Sequence, residues 1–138
     1  MATFMSIDLM LVDDETIITE FLEILTQNLA THHSFPTPNF LKFQSGVEAL
    51  KYLKANPSNL PEGYIVDMRI PYNPEELDSP LNIYRFLQAR DATAHFTFYT
   101  GHISRHDLKV QEATNARIIE KTDLEGIKKF ILSILSSP

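Results

Sequence analysis

Short apolar runs in this chain keep ending on residues that carry a charge or a hydroxyl. Met10-Leu11-Val12 runs into Asp13-Asp14, Tyr64-Ile65-Val66 into Asp67, Phe96-Thr97-Phe98-Tyr99 into Thr100, and Arg117-Ile118-Ile119-Glu120 into Lys121. Unbroken apolar runs of strand length suit strands buried on both faces, the pattern of a parallel sheet covered by helices. In such a sheet every strand points the same way, so all four ends lie on one edge. Three carboxylates, a hydroxyl and an ammonium would converge there.

Helix-like segments separate the runs, which predicts an alternating βα order. Ile7 to Val12 reads as the first strand. Ile17, Ile18, Phe21, Leu22, Leu25 and Leu29 then recur at helical spacing from Glu15 to Ala30. A loop over Thr31 to Asn39 carries two prolines, Pro36 and Pro38. Phe40 to Phe43 is a short second strand, and Gly46 to Ala55 a helix that stops before Asn56-Pro57. Tyr64 to Met68 is the third strand, followed by the irregular stretch Pro71 to Pro80. Leu81 to Arg90 is helical, His95 to Tyr99 a strand, Ser104 to Thr114 a weak polar helix, Ala116 to Glu120 a strand, and Leu124 to Leu135 a final apolar-sided helix. The expectation is one domain over 1–138 of five βα units, with ligand sites at the carboxyl ends of the strands.

The 138 residues are enough to bury a core, and a hydrophobic fraction of 43% supports a folded chain. A net charge of −6 gives no electrostatic footprint for nucleic acid. Zero cysteines exclude disulfides and thiolate metal sites and fit a reducing cytosol. The opening MATFMSIDLMLVDDE lacks a basic region ahead of its apolar residues, and no apolar stretch approaches a membrane span. A cytoplasmic protein that engages neither membrane nor nucleic acid is expected, as a monomer or weak dimer.

Each strand-end residue has an ordinary explanation. Asp13-Asp14 can simply cap a helix, whose amino end favours acid. Thr100 is a common strand residue, and lysines such as Lys121 are usually solvated. Asp67 is harder to explain as structure, because a carboxylate ending so apolar a strand needs a partner. Together, Asp13, Asp14 and Asp67 repel one another unless a cation enters, and hard oxygen ligands of this kind suit Mg²⁺. Competing chemistry is weak. His102 and His106 have i, i+4 spacing but no acidic third ligand, and the chain has neither a phosphate-binding glycine loop nor a nucleophile-elbow motif.

In this order the four motifs resemble the receiver domain of two-component response regulators, over essentially the whole chain. The resemblance implies a flavodoxin-like α/β fold, (βα)5, with a parallel sheet in the order 2-1-3-4-5 and helices on both faces. It implies that Asp67 accepts a phosphoryl group from a histidine kinase or a phosphotransfer protein. Asp14, Asp67 and the backbone carbonyl of Arg69 would ligate Mg²⁺, with Asp13 acting through water, while Thr100 and Lys121 hold phosphoryl oxygens. The chain would not be an enzyme beyond its own Mg²⁺-dependent phosphorylation and dephosphorylation, and would signal to a downstream protein. Because the chain ends at Pro138, just after the last helix, a stand-alone receiver is expected.

The chain departs from the family pattern in four places. Ile118 or Ile119 replaces the aromatic residue usual before the lysine. Thr122 follows Lys121 where the family has a cis proline, and a trans bond is expected because a cis bond here costs about 3–4 kcal/mol. The segment after Asp67 has extra residues, Asn73 to Ser79, and the loop before the second strand is longer. Two other readings therefore stay open. One is a receiver-like module that binds partners without phosphorylation. The other is a metal-dependent phosphatase using Asp67 as nucleophile, against which Arg69 stands where a second aspartate would act as general acid.

Overall fold

The computed structural model describes residues 7–70 and 74–137. Five strands, β1 (Asp8–Val12), β2 (Asn39–Phe43), β3 (Gly63–Asp67), β4 (Phe96–Thr100) and β5 (Arg117–Glu120), form one parallel sheet in the order β2-β1-β3-β4-β5. Among the described residues an α-helix follows each strand: α1 (Thr16–His32), α2 (Gly46–Ala55), α3 (Ser79–Gln88), α4 (Arg105–Thr114) and α5 (Leu124–Leu135). This is the flavodoxin-like architecture expected from the alternation of runs, and element ends differ from the expected ones by one or two residues. Val12 pairs with Val66, Asp67 with Tyr99 and Thr100 with Glu120, so the strand ends are level. Among the described residues no helix is long and apolar enough to cross a membrane.

Because alternate strand residues face opposite sides, the sheet divides its side chains between two cores. Met10, Val12, Tyr64, Val66, Phe96 and Phe98 pack with Ala49 and Leu53 of α2 and Ile83, Tyr84 and Leu87 of α3. Leu9, Leu11, Ile65, Tyr99 and Ile119 pack with Leu22 and Ala30 of α1 and Ile127, Phe130, Ile131 and Ile134 of α5. No residue of α4 belongs to either cluster, and its single buried residue is Asp107. Expected to be polar and weak, α4 lies against the molecule with little apolar adhesion.

The buried face of α1 is rotated slightly from the one its apolar spacing predicts. Ile18, Leu22, Leu25 and Leu29 face the core as expected, but Ile17 and Phe21 are exposed, and Thr19, Thr26 and Ala30 are buried beside Leu22. The threonines are tolerated inside because each hydroxyl donates to a helix carbonyl, Thr19 to Thr16 at 3.0 Å and Thr26 to Leu22 at 2.7 Å.

The stretch after Asp67 is more ordered than its composition suggests, although Pro71, Tyr72 and Asn73 lie outside the described residues. A 3₁₀ turn, Pro74–Glu76, buries the Glu76 side chain against the amino end of α2. Its carboxylate accepts from the Gly46 amide at 2.8 Å, the Val47 amide at 3.3 Å, the Ser79 hydroxyl at 2.9 Å and the Ser45 hydroxyl. One carboxylate thus satisfies free amides of α2, complements its dipole and seats the start of α3. Gly46 allows this approach, since a Cβ there would collide with the Ser79 side chain. Burial pushes the Glu76 carboxyl up, but the bonds from Ser45, Ser79, Val47 and Gly46 outweigh it and hold the group below its ordinary range. A depressed pKa contributes stability at neutral pH that is lost as the group protonates in acid. Glu76→Ala is expected to lower unfolding free energy by about 2–4 kcal/mol at pH 7. In urea titrations the deficit should shrink at pH 3; a deficit unchanged by acid would contradict this role.

Candidate functional site

The parallel register brings the predicted residues together. Asp13 follows β1, Asp67 ends β3, Thr100 ends β4 and Lys121 follows β5. Lys121 Nζ lies 2.9 Å from Asp13 Oδ2 and 3.6 Å from Asp67 Oδ2, bridging the end of the central strand β3 and that of its neighbour β1. The backbone holds the same edge together. The Asp13 amide donates to the Phe43 carbonyl at 3.0 Å, and the Lys121 amide to the Thr100 carbonyl at 2.7 Å. Asp123, not Lys121, caps α5, accepting from the Gly126 amide at 2.9 Å.

Each carboxylate has one oxygen held and the other turned to the lysine. Asp13 Oδ1 accepts from the Glu15 amide at 2.9 Å, and Asp67 Oδ1 from the Arg69 amide at 3.0 Å. Asp13 is 2% exposed, Asp67 5% and Thr100 1%, so water screens little of the charge. Burial pushes the Asp67 carboxyl up to about 6, with the negative charges of Asp13 and Asp14 adding to it against the opposing Arg69 amide and Lys121. Burial raises Asp13 as well. Burial alone would lower Lys121, but Asp13 and Asp67 hold its ammonium above the ordinary lysine value.

The carboxylate group extends to a residue that sequence reasoning passed over. Asp13, Asp14 and Glu15 each offer an oxygen within 4.8 Å of the others, and Asp67 adds its charge beside them. Asp13 and Asp67 thus share one ammonium, with half-buried Asp14 and exposed Glu15 beside them, leaving an excess of negative charge. Only hard oxygen donors are present, so the donor set fits a divalent cation such as Mg²⁺ or Mn²⁺. His102 and His106 do not form a helical pair, since His102 precedes α4 and both are exposed.

The Arg69 side chain reaches from the end of β3 to β4 and α4. Nη1 donates to Thr100 Oγ1 at 3.1 Å and to the His102 carbonyl at 3.0 Å, while Nη2 pairs with the buried Asp107 carboxylate. Asp107 also accepts from the Ser104 amide at 2.8 Å, completing a capping box for α4. The Ser-x-x-Asp spacing was the available signal for the cap. Nothing local pointed to the arginine, which lies 38 residues away in sequence.

The departures from the family pattern can now be placed. Ile118 is partly buried against the core shared by α2 and α3, and Ile119 is buried on the opposite side among α1 and α5. No peptide bond among the described residues is cis, so Lys121–Thr122 is trans as expected.

No family model matches the chain, and no curated protein does. Solved structures do. A two-component response regulator from Legionella pneumophila superposes with a TM-score of 0.70 at 16% identity, over 96% of this chain and 100% of that one. The chain has the receiver-domain fold. A CheY-like receiver domain from Methanospirillum hungatei matches at TM-score 0.67 and 15% identity, over 94% of this chain and 97% of its own. The Mn²⁺-bound form of response regulator Rcp1 matches at 0.64 and 15%, over 96% and 98%.

The raised Asp67 pKa has a consequence for stability. The unfolded carboxyl ionises near 3.8 and the folded one near 6, so between these values the folded state binds more protons and stability falls as pH rises. Asp67→Asn removes the buried charge and keeps an oxygen for the Arg69 amide. It is expected to be more stable than the wild type at pH 7 by about 2 kcal/mol, and to lose that advantage by pH 4. Denaturant unfolding at the two pH values checks this; an equal difference at both would contradict it.

Proposed function

We propose that this chain is a phosphorelay receiver in which Asp67 accepts a phosphoryl group from a histidine kinase or a phosphotransfer protein. The observation that carries the reading is the Lys121 ammonium held between Asp13 and Asp67 on the sheet edge that also presents Thr100. The ionised Asp67 carboxylate attacks phosphorus in line, a P–N bond to the donor histidine breaks, and the imidazole leaves with the electron pair and takes up a proton. Lys121 neutralises charge gathering on the phosphoryl oxygens, and the Thr100 hydroxyl donates to one of them. Catalysis of this kind is positioning and electrostatic stabilisation in a site that water does not screen.

Asp13, Asp14 and Asp67, with the backbone carbonyl of Arg69, would hold Mg²⁺, which when bound neutralises the carboxylates and the transferring group. The Mn²⁺ seen in response regulator Rcp1 supports a divalent ion in this fold, and Glu15 adds a further oxygen beside the set. The chain acts on no other substrate: it takes up and loses its own phosphoryl group and signals, in the cytoplasm, by changing its affinity for a downstream protein.

Ile118 favours a second reading. Without the aromatic usual in the family at that strand position, no large ring is there to change place when Asp67 is phosphorylated, which suits a module that binds its partner in either state.

Intact mass separates the two. With acetyl phosphate the protein is expected to gain one phosphoryl group only when Mg²⁺ is present, and Asp67→Asn is expected to gain none. A folded wild type that gains nothing from acetyl phosphate or from a histidine kinase, and binds its partner equally with Asp67→Ala, contradicts the receiver reading.

A further inference from the structure

We propose that Arg69 is a positioning residue that joins the Thr100 hydroxyl to the first turn of α4 through Asp107. The site and the placement of α4 are then set together. This rests on the reading of Asp67 as phosphoryl acceptor and names how that site communicates with its surroundings.

Three observations meet here. The Arg69 guanidinium spans both partners at once, with Nη1 on Thr100 Oγ1 at 3.1 Å and Nη2 on Asp107. A guanidinium is a rigid planar fork, so its two ends cannot move separately. Second, Asp107 is the one buried residue of α4, and neither core cluster includes any residue of that helix. Leu108, its neighbour, is 51% exposed. The seat of α4 near the site is therefore ionic, and a charge-assisted arginine–carboxylate pair is directional where apolar packing is not. Third, the Thr100 hydroxyl hydrogen is only loosely engaged, by a long 3.5 Å contact to the His102 carbonyl. Arg69 occupies a lone pair of that oxygen and leaves its proton free to reach a phosphoryl oxygen.

A phosphoryl group on Asp67 would place negative charge two residues from Arg69 and draw the Thr100 hydroxyl toward it. The fork must follow, loosening its hold on Asp107 and with it the first turn of α4. The Lys121 amide keeps the β4 backbone in place, so the motion is confined to side chains and to the segment carrying α4. With Ile118 in place of an aromatic, this ion pair provides a route from the site to the surface.

The test follows the Thr100 methyl signal by NMR in the full chain, first without a phosphodonor, in Arg69→Gln, Asp107→Asn, the double variant and Ser104→Ala. Asp107→Asn is expected to displace the signal although Asp107 does not touch Thr100, and the double variant to displace it no further than Arg69→Gln alone. Ser104→Ala, which removes the cap from the same helix end, should leave it in place. With acetyl phosphate and Mg²⁺, phosphoryl uptake by mass should slow by about three- to tenfold in either single variant, without multiplying in the double, and Arg69→Lys should recover part of the rate. Additive displacements, or a Ser104→Ala shift equal to that of Asp107→Asn, would overturn the coupling. A wild type that gains no phosphoryl mass would instead overturn the receiver reading, while the spectra without phosphodonor still decide whether Arg69 joins Thr100 to α4.

Discussion

Lys121 stands where carboxylates from the ends of β1 and β3 meet, and the edge is organised around its ammonium. Its 2.9 and 3.6 Å approaches to Asp13 and Asp67 join the ends of β1, β3 and β5. Parallel pairing makes that meeting unavoidable: strands that run the same way and end level must place their terminal side chains on one edge. The lysine offsets only part of the charge, and the pocket stays electrostatically strained. That surplus makes a divalent cation welcome and adds to the burial that raises Asp67, and it supplies the charge difference that a phosphoryl group would alter.

The rest of the molecule holds this edge rigid on one side and leaves it adaptable on the other. α5 follows Lys121 directly and is anchored by Ile127, Phe130, Ile131 and Ile134, so the lysine hangs from a well-packed helix. Between β3 and α3, the Glu76 carboxylate ties the 3₁₀ turn onto α2. α4 has no comparable apolar anchor: the Arg69–Asp107 pair and the cap hold its first turn, and the Tyr84 hydroxyl donates to the Thr114 carbonyl at its last. Burial of apolar surface resists displacement in every direction, whereas one ion pair can be exchanged for another of similar energy. The contrast between α5 and α4 is thus one between a scaffold and a movable element.

Much of this was legible in the residues, for physical reasons. Buried parallel strands are written as unbroken apolar runs, so Tyr64-Ile65-Val66 and Phe96-Thr97-Phe98-Tyr99 announced both their conformation and where they end. Topology then placed Asp13, Asp67, Thr100 and Lys121 together without any knowledge of packing. What escaped depends on contacts distant in sequence. One exception is local: Thr19 and Thr26 of α1 are buried with their hydroxyls satisfied on the helix itself, which no hydropathy pattern reveals. Glu76 reads as an acid in an irregular stretch until α2 is laid beside it. Arg69 was visible as a residue near the site, but nothing in the sequence tied it to Asp107, 38 residues away.

The central claim is that the carboxylates at this edge carry more negative charge than Lys121 can balance, and that a divalent cation resolves the imbalance. Carboxyl-detected NMR titration of Asp67, with and without Mg²⁺, tests it most directly. The account predicts a titration near pH 6 in metal-free protein, moved well down by Mg²⁺. An Asp67 that titrates near its ordinary value of 3.8 and does not respond to Mg²⁺ would contradict it.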